Sequence, residues 1–309
     1  MDVSNCAWTP GWKAEERQRF LSEVESVVGA RFGDYELDAA EGTITVSDLD
    51  CVFGLSNLAQ TCRLADPEDW RLLVYSHITR LDDFAPAALA ELMSDCERVR
   101  DDLRVRVVSQ HHVAHIDPVA DPLPLGLYAC LSVDLDGAAM PVDRGYFDGW
   151  GVDHDEVMAA AVANSLGADK LAVTESCELS GRFTVLAGES LFATAHLLDL
   201  AGSLPDVGPK GAVVTVPTAR EVMVCAVDPP EDFESDGPAM LAASYARFLM
   251  GPNSVTSNAL WWRPGEPLEG FARLDHGGFE LVAPPELREH LGLATAKNAE
   301  RSRGEGIDL

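Results

Sequence analysis

The feature that most constrains the fold is the stretch of residues 211–228, in which two apolar, β-branched runs flank a short turn. The runs cover residues 212–216 and 221–227, and Pro-Thr-Ala-Arg separates them. Runs of this length, bounded by turn residues, predict two strands joined in a hairpin. The second run is apolar at nearly every position, which is typical of a strand buried on both faces. We therefore expect this hairpin to lie at the centre of the core.

Helical periodicity outside this stretch predicts several helices. Between residues 12 and 31 the apolar positions recur at the spacing of an amphipathic helix, and charged residues cover the other face. Ser56 is available as the N-cap of a second helix, and Asp66 with Pro67 is typical of the start of a third. The remaining expected helices span residues 86–103, 156–166, 191–200 and 238–250.

The other expected elements are short strands, several of them arranged as hairpins. They span residues 35–37, 43–46, 105–108, 127–135, 138–142, 170–174, 183–186, 259–262, 271–274 and 279–282. Hairpins interspersed with helices predict an α+β fold with a mixed, largely antiparallel sheet flanked by helices, in place of a regular βαβ series.

A proline-rich passage between residues 117 and 125 indicates how the chain divides. We expect an N-terminal helical and hairpin subdomain over residues 1–120 and a main α+β subdomain over residues 121–293. A charged tail is expected over residues 294–309.

The charge of the chain restricts its partners. The 51 acidic and 23 basic side chains of the 309 residues leave a formal net charge of −28. Such a surface disfavours binding to nucleic acid or to an anionic membrane, and it attracts a basic protein. A chain of this length that is 47% hydrophobic can bury a sizeable core without a metal or a disulfide.

The cysteines and the N-terminus predict a cytoplasmic protein. Seven cysteines lie at long spacings without a Cys-x-x-Cys pair, which is typical of reduced thiols. The N-terminus has no basic segment followed by an apolar run, and no segment approaches 18 uninterrupted apolar residues. We expect neither secretion nor a membrane span.

Several short motifs share their order with one protein family. They are Leu55-Ser-Asn-Leu with Pro67-Glu, Trp150-Gly-Val-Asp-His-Asp-Glu with Ala161-Val-Ala-Asn, Glu189-Ser-Leu-Phe-Ala, Val216-Pro-Thr and Ser254-Val-Thr-Ser-Asn. In this order they resemble the bacterial YtpQ-like family. The resemblance implies a cytosolic α/β-type domain and carries over no reaction, cofactor or catalytic residue. The histidine-rich segment near residue 111 and the acidic surplus lie outside the family pattern.

That histidine-rich segment, Gln110-His-His-Val-Ala-His-Ile-Asp, is the most chemically suggestive part of the chain. Neutral imidazoles and a carboxylate can bind zinc or another transition metal, so His111, His112, His115 and Asp117 could serve a metal-dependent hydrolase. Pro118 disfavours a helix at this point, and strand alternation would place His111 and His115 on one face. The alternative is a group of solvent-facing histidines near a strand end.

A second histidine, His154, stands among carboxylates in the run Asp153-His-Asp-Glu. Such neighbours could raise its pKa or form an acid/base pair. The run also begins an expected helix, where acids are stabilised by the helix dipole. We therefore favour capping by these acids over catalysis.

The other polar candidates have simpler explanations. Asp134, Asp136, Asp143 and Asp148 lack the spacing of a calcium loop and fit turns better. Cys177 has acidic neighbours, which oppose formation of a thiolate. Ser190 follows Gly188-Glu, but Phe192 replaces the second glycine of a nucleophile elbow, so this serine is expected to cap a helix.

Two adjacent tryptophans precede an arginine and a turn in Trp261-Trp262-Arg263-Pro-Gly. This composition is enriched among the anchors of protein interfaces, so the three residues are candidate partner-binding residues. The alternative is that one tryptophan packs in the core and the other is partly exposed.

These observations together predict a non-enzymatic protein that binds other proteins. We expect an adaptor, inhibitor or immunity-type protein for a basic partner, without a metal or organic cofactor, because no glycine-rich phosphate loop or catalytic motif is present in the sequence. The metal-dependent hydrolase is the alternative.

Overall fold

The structure, a computed structural model, describes residues 8–9, 12–47, 51–80, 86–114, 116–135, 138–204, 207–275 and 278–293. Its helices are α1 (Ala14–Arg31), α2 (Ser56–Arg63), α3 (Trp70–Arg80), α4 (Pro86–Met93), α5 (Cys96–Val99), α6 (Gln110–Val113), α7 (Arg144–Trp150), α8 (His154–Ala168), α9 (Pro230–Met250) and α10 (Pro285–His290). Short 3₁₀ helices cover Arg100–Asp102, Pro124–Gly126, Ala193–Leu198 and Leu200–Gly202.

The strands form three antiparallel sheets. They are β1 (Tyr35–Asp38), β2 (Thr43–Val46), β3 (Cys51–Gly54), β4 (Leu103–Ser109), β5 (Ala120–Leu123), β6 (Leu127–Leu135), β7 (Ala138–Pro141), β8 (Ala172–Glu178), β9 (Gly181–Ala187), β10 (Ala212–Thr218), β11 (Glu221–Ala226), β12 (Ala259–Trp262), β13 (Glu269–Asp275) and β14 (Gly278–Leu281). The strand orders are β1-β2-β3, β14-β13-β12-β10-β11-β9-β8, and β4-β6-β5 with β7 paired to β6. The predicted α+β fold, with antiparallel sheets flanked by helices, is confirmed.

The chain divides into two compact units. One contains the described residues within 1–101, 145–152 and 249–254, and the other contains those within 102–144, 153–248 and 255–309. The expected boundary at residue 120 does not coincide with this division. The main segment of the first unit ends at Asp101 because the next strand, β4, pairs with β6 of the second unit. The expected tail, residues 294–309, lies outside the described residues.

The first unit is built around an aromatic cluster. The indole of Trp12 lies 5.5 Å from the Phe20 ring and 5.4 Å from the Trp70 ring, measured between centroids. The guanidinium of Arg19 lies over Trp70 at 5.4 Å. Apolar residues spaced along α1 supply much of this core, as the helical periodicity of residues 12–31 predicts.

The second unit is centred on the predicted hairpin. Ala212 pairs with Ala226 and Val214 with Val224, so β10 and β11 are adjacent antiparallel strands. They lie in the middle of the seven-stranded sheet, between β12 and β9. Every residue of β10 is buried. Helix α9 packs on one face of this sheet, and residues of β4, β6 and the 193–198 turn pack on the other.

Several expected helix ends differ from the structure. Leu55 is the N-cap residue of α2, because the Ser56 hydroxyl donates to the Trp8 carbonyl instead. Asp66 accepts a hydrogen bond from the backbone of Glu68 within a turn, and α3 begins only at Trp70.

Three expected helices also have different extents. Residues 86–103 form α4, α5 and a 3₁₀ turn, with Asp95 capping α5 through the backbone N–H of Glu97. The helix expected at 191–200 is a pair of 3₁₀ helices, and α9 starts at Pro230, eight residues before the expected start at Pro238.

Among the described residues, no helix combines the length and the apolar character that crossing a bilayer requires.

Candidate binding groove

A groove in the second unit is lined entirely by described residues. Its cavity volume is about 370 Å³, and residues 122–124, 197–198 and 266–268 line it together with Trp262. This volume is near the lower end of the range for ligand sites. The groove can therefore hold a small group or a side chain of a partner.

Four local structures bring these residues together. Pro122 and Leu123 end β5, and Pro124 begins the next 3₁₀ helix. Because β5 is an edge strand, the missing N–H of Pro122 costs no ladder hydrogen bond. The backbone then turns through Leu125 and Gly126, which both have positive φ. Residues 197–198 end a 3₁₀ helix, Trp262 ends β12, and residues 266–268 belong to the loop that leads into β13.

Trp262 is the aromatic wall of the groove and is only 8% exposed. Its neighbour Trp261 projects to the opposite face of the sheet, where it is 1% exposed and donates from Nε1 to the Lys210 carbonyl at 2.8 Å. Strand alternation explains this separation, since successive side chains point to opposite faces.

Arg263 is held by neighbours of the same unit. Its guanidinium stacks on Trp261 at 3.9 Å from the ring centroid and forms ion pairs with Glu269 and Glu286. Of the three candidate partner-binding residues, the structure thus places Trp261 in the core, Arg263 in an ion-pair network and Trp262 in the groove. An exposed three-residue anchor does not form.

The lining side chains are apolar apart from one carboxylate. Leucine, proline and tryptophan residues share the lining with the exposed Glu266, and polar and apolar atoms contribute about equally to its accessible surface. The apolar side chains favour an apolar group, while the carboxylate favours a cation beside it.

A buried polar network fixes the wall formed by residues 197–198. The Asp169 carboxylate accepts from the hydroxyl of Ser190 at 2.7 Å and from its backbone N–H at 3.3 Å. The Ser190 hydroxyl in turn accepts from the backbone N–H of Phe192 at 3.0 Å within a turn. The expected helix cap at Ser190 does not form, since Phe192 is the N-cap residue of the following 3₁₀ helix and that helix has no side-chain cap. His196, one residue before the wall, is bonded to the Asp169 carbonyl and to the Ser203 hydroxyl.

The geometry of this network assigns the protons and excludes a catalytic triad. A carbonyl oxygen only accepts, so Nε2 of His196 carries the hydrogen that it donates to Asp169 at 2.9 Å. In the neutral ring, Nδ1 then accepts from Ser203 at 2.7 Å. A triad needs histidine between the serine and the carboxylate, whereas Ser190 bonds Asp169 directly. The network is a support for the groove.

His154 has a different partner from the one that its sequence neighbours suggest. Asp153 caps α8 by accepting from the backbone N–H of Glu156 at 3.0 Å, which confirms the capping interpretation. The imidazole Nε2 lies 2.8 Å from the carboxylate of Asp121, a residue of β5. Both side chains are partly exposed, so this pair adds little to stability.

The histidine-rich segment is helical where strand alternation was expected. Residues Gln110–Val113 form one helical turn directly after β4. The side chain of His111 and all of His115 lie outside the described residues, while Asp117 pairs with Arg144 at 3.6 Å. Within the described ranges, no group of three or more histidine, cysteine, aspartate or glutamate side chains could hold a metal ion. The metal site formed by His111, His112, His115 and Asp117 stays a prediction.

Two further candidates are placed only in part. Asp136 lies outside the described residues, so the suggested cluster of four aspartates is not complete in the structure. Cys177 is exposed on β8, an edge strand, and is free.

Comparison with known proteins gives no relative, since no family model, curated protein or solved structure matches the chain. The resemblance to the YtpQ-like family stays a prediction.

The sequence motifs identified Trp262 but not the rest of the groove. Leucine and proline residues occur throughout the chain, so nothing marks residues 122–124 or 197–198 as lining one site. No sequence motif indicated the hydrogen-bond network around Asp169. Ser190 alone was noted, as part of an incomplete Gly-x-Ser-x-Gly motif.

Proposed function

We propose that this protein is a non-enzymatic, cytoplasmic binding protein whose groove receives an apolar side chain from a basic segment of a partner protein. The observation that carries the proposal is the combination of Trp262 with leucine and proline walls and the carboxylate of Glu266. Tryptophan in a pocket is a frequent interface hot spot. The proposed role is that of an adaptor, an inhibitor or an immunity-type protein.

The charge of the chain supports a basic partner. With a net charge of −28, long-range attraction would steer a cationic segment to the protein and raise its association rate. The groove would then supply the short-range contact that keeps the complex together. Salt should therefore slow association more than it speeds dissociation.

A cytoplasmic location is supported by the cysteines. The five cysteines whose side chains are described, Cys62, Cys96, Cys130, Cys177 and Cys225, are all free. Free thiols are typical of a reducing compartment.

Peptide binding tests the proposal. The probes are fluorescein-labelled peptides with one leucine or phenylalanine among lysines and arginines, and matched peptides with glutamates in place of the basic residues. We expect the basic set to bind and the acidic set to fail. Binding should weaken by about tenfold or more in about 0.5 M NaCl relative to about 0.05 M, because exposed charges are then screened.

Two matched variants locate the site. Glu266→Lys should weaken binding of the basic peptides by about tenfold, the size of a lost charge contact. Glu234→Lys makes the same charge change at an exposed residue of α9 that does not line the groove, and it should have a smaller effect. Equal effects of both variants, or equal binding of basic and acidic peptides, would refute the proposal.

Metal analysis tests the alternative hydrolase. Stoichiometric zinc in the purified protein, lost when His111 and His115 are changed to alanine, would replace the binding proposal with a metal-dependent enzyme.

A further inference from the structure

A buried arginine that forms no ion pair with any described residue lies in the β4-β6-β5 sheet, and it does not line the groove. Arg106 is 8% exposed. Its Nε is buried without a hydrogen-bond partner, and no ion pair joins its guanidinium to a described residue. Burial lowers the pKa of its guanidinium from the ordinary value, and the nearby Cys130 thiol acts in the opposite direction. A guanidinium has five N–H donors and accepts no hydrogen bond, so the buried Nε–H of Arg106 lacks an acceptor among the described residues.

The strand register places a buried hydroxyl on the same face as Arg106. Arg106 is paired with Cys130, and Arg104 with Ser132, across β4 and β6. Directly paired residues of antiparallel strands project to the same side, so these four side chains share one face. Ser132 is 1% exposed, and its buried hydroxyl lies near the Cys130 thiol, whose pKa it lowers by hydrogen bonding to the sulfur. It makes no hydrogen bond of regular geometry to an oxygen or nitrogen of a described residue. Arg104 adds another positive charge to this face.

An unpaired charge is costly to bury. Removing a guanidinium from water costs several kcal/mol, and the cost is recovered only when an anion and hydrogen-bond acceptors replace the water. Buried arginines are therefore normally paired with a carboxylate or another anion. The Cys130 thiol cannot serve as that anion near neutral pH, because burial raises its pKa to about 11.

We propose that Arg106 and Ser132 form a buried binding site for a small oxyanion, either a phosphate or a carboxylate. The planar fork of arginine matches both groups, and a serine hydroxyl can donate a further hydrogen bond. The acidic surface repels anions at long range, so the oxyanion has to be held by direct contact with these donors. This site is independent of the groove and of the proposed partner.

Titration of the full-length protein with inorganic phosphate, and separately with acetate, tests the proposal. Binding is followed by calorimetry and by the melting temperature, with NaCl at matched ionic strength as the reference. We expect saturable binding of one or both anions beyond the effect of NaCl. Phosphate binding identifies a tetrahedral ligand class and acetate binding a carboxylate class, and either result supports the site.

Three variants assign the binding to this face. Arg106→Met should weaken binding by about tenfold or more, because the charged donors are lost. Ser132→Ala removes a small hydroxyl whose protein neighbour is the weakly hydrogen-bonding Cys130 thiol, so the fold should be kept, and binding should weaken by a smaller factor. Arg182→Met removes the same charge from an exposed position on β9 and should bind like the unaltered protein. The proposal is overturned if neither anion acts beyond NaCl, or if binding survives both Arg106→Met and Ser132→Ala.

Discussion

At the scale of single residues, the buried thiols have the clearest titration behaviour in the described chain. Burial raises the pKa of Cys62 and Cys225 from an ordinary 9.0 to about 12, and that of Cys130 to about 11. Desolvation is the first cause at each site, because the thiolate is the form that loses water. These thiols are therefore unreactive near neutral pH.

The raised pKa values predict a loss of stability in alkali. Above about pH 9 the unfolded thiols ionise while the folded thiols keep their protons, so the folded state binds more protons and the free energy of unfolding falls as the pH rises. The contribution is intact below about pH 9 and is lost progressively toward the folded pKa values of about 11 to 12. Urea unfolding at a series of pH values measures the slope.

Cysteine variants separate the contribution of the thiols to this slope from that of other groups that titrate in the same pH range. Changing Cys130 or Cys225 to alanine should flatten the slope, whereas Cys177→Ala, at an exposed thiol, should leave it unchanged. Identical slopes in all of these proteins would contradict the assignment.

Glycine is required at position 188 because the side chains of Asp169 and Ala193 pack against its Cα. A Cβ at this position would lie 2.4 Å from Oδ2 of Asp169 and 2.6 Å from Cβ of Ala193. Gly188→Ala should therefore reduce the free energy of unfolding by about 1–3 kcal/mol, the usual cost of overpacking. Denaturant unfolding measures the change.

Gly167 is the matched control for this substitution. It is exposed in α8, and a Cβ there would meet nothing within 4 Å. Gly167→Ala should leave stability unchanged or raise it by up to about 1 kcal/mol, since alanine favours helix. A loss at Gly167 equal to that at Gly188 would argue against a steric cause.

At the scale of elements, β4 shows how a buried edge strand satisfies its backbone. One side of β4 pairs with β6, and the other side has no neighbouring strand. Two of its N–H groups donate to side-chain hydroxyls instead: Val105 to Ser165 of α8 at 2.9 Å, and Val107 to Thr194 at 3.0 Å. These bonds tie β4 to α8 and to the 3₁₀ helix that forms part of the groove.

Removing either hydroxyl should leave a buried N–H without a partner. Ser165→Ala and Thr194→Val are each expected to cost about 1–3 kcal/mol of stability, the desolvation penalty of an orphaned donor. Thr215→Val is the control, because the Thr215 hydroxyl is equally buried but has no partner. That change should be neutral or stabilising, and an equal cost at Thr194 and Thr215 would contradict the role of the hydroxyl bonds.

At the scale of the whole molecule, the charge opposes compactness. A net charge of −28 creates repulsion among the carboxylates of the folded chain, and salt screens it. Raising NaCl from about 0.02 to about 0.5 M should therefore raise the melting temperature by several degrees. Sucrose at equal osmolality controls for preferential exclusion, and a melting temperature that falls or stays constant in NaCl would contradict the prediction.

Local patterns were sufficient for the elements but not for all their ends. The helix over residues 12–31 and the hairpin over 212–227 follow from the spacing of their apolar residues, and the structure confirms both. The prediction that Ser56 caps α2 was wrong. Leu55 is the N-cap residue, and the Ser56 hydroxyl donates to the carbonyl of Trp8, which is 48 residues away in sequence. The residues next to Ser56 in sequence could not reveal that the Trp8 carbonyl would be its hydrogen-bond acceptor.

The candidate site was predictable only at Trp262. The sequence by itself determined that an apolar hairpin would form the centre of an antiparallel sheet, because strand periodicity is a local property. Tertiary structure decided that Trp261 packs in the core while Trp262 lines a groove, and that Arg106 and Ser132 share one face of a sheet. It also brought Thr194 to β4 across 87 residues of chain. These outcomes depend on strand register and on contacts between distant segments, which local composition does not specify.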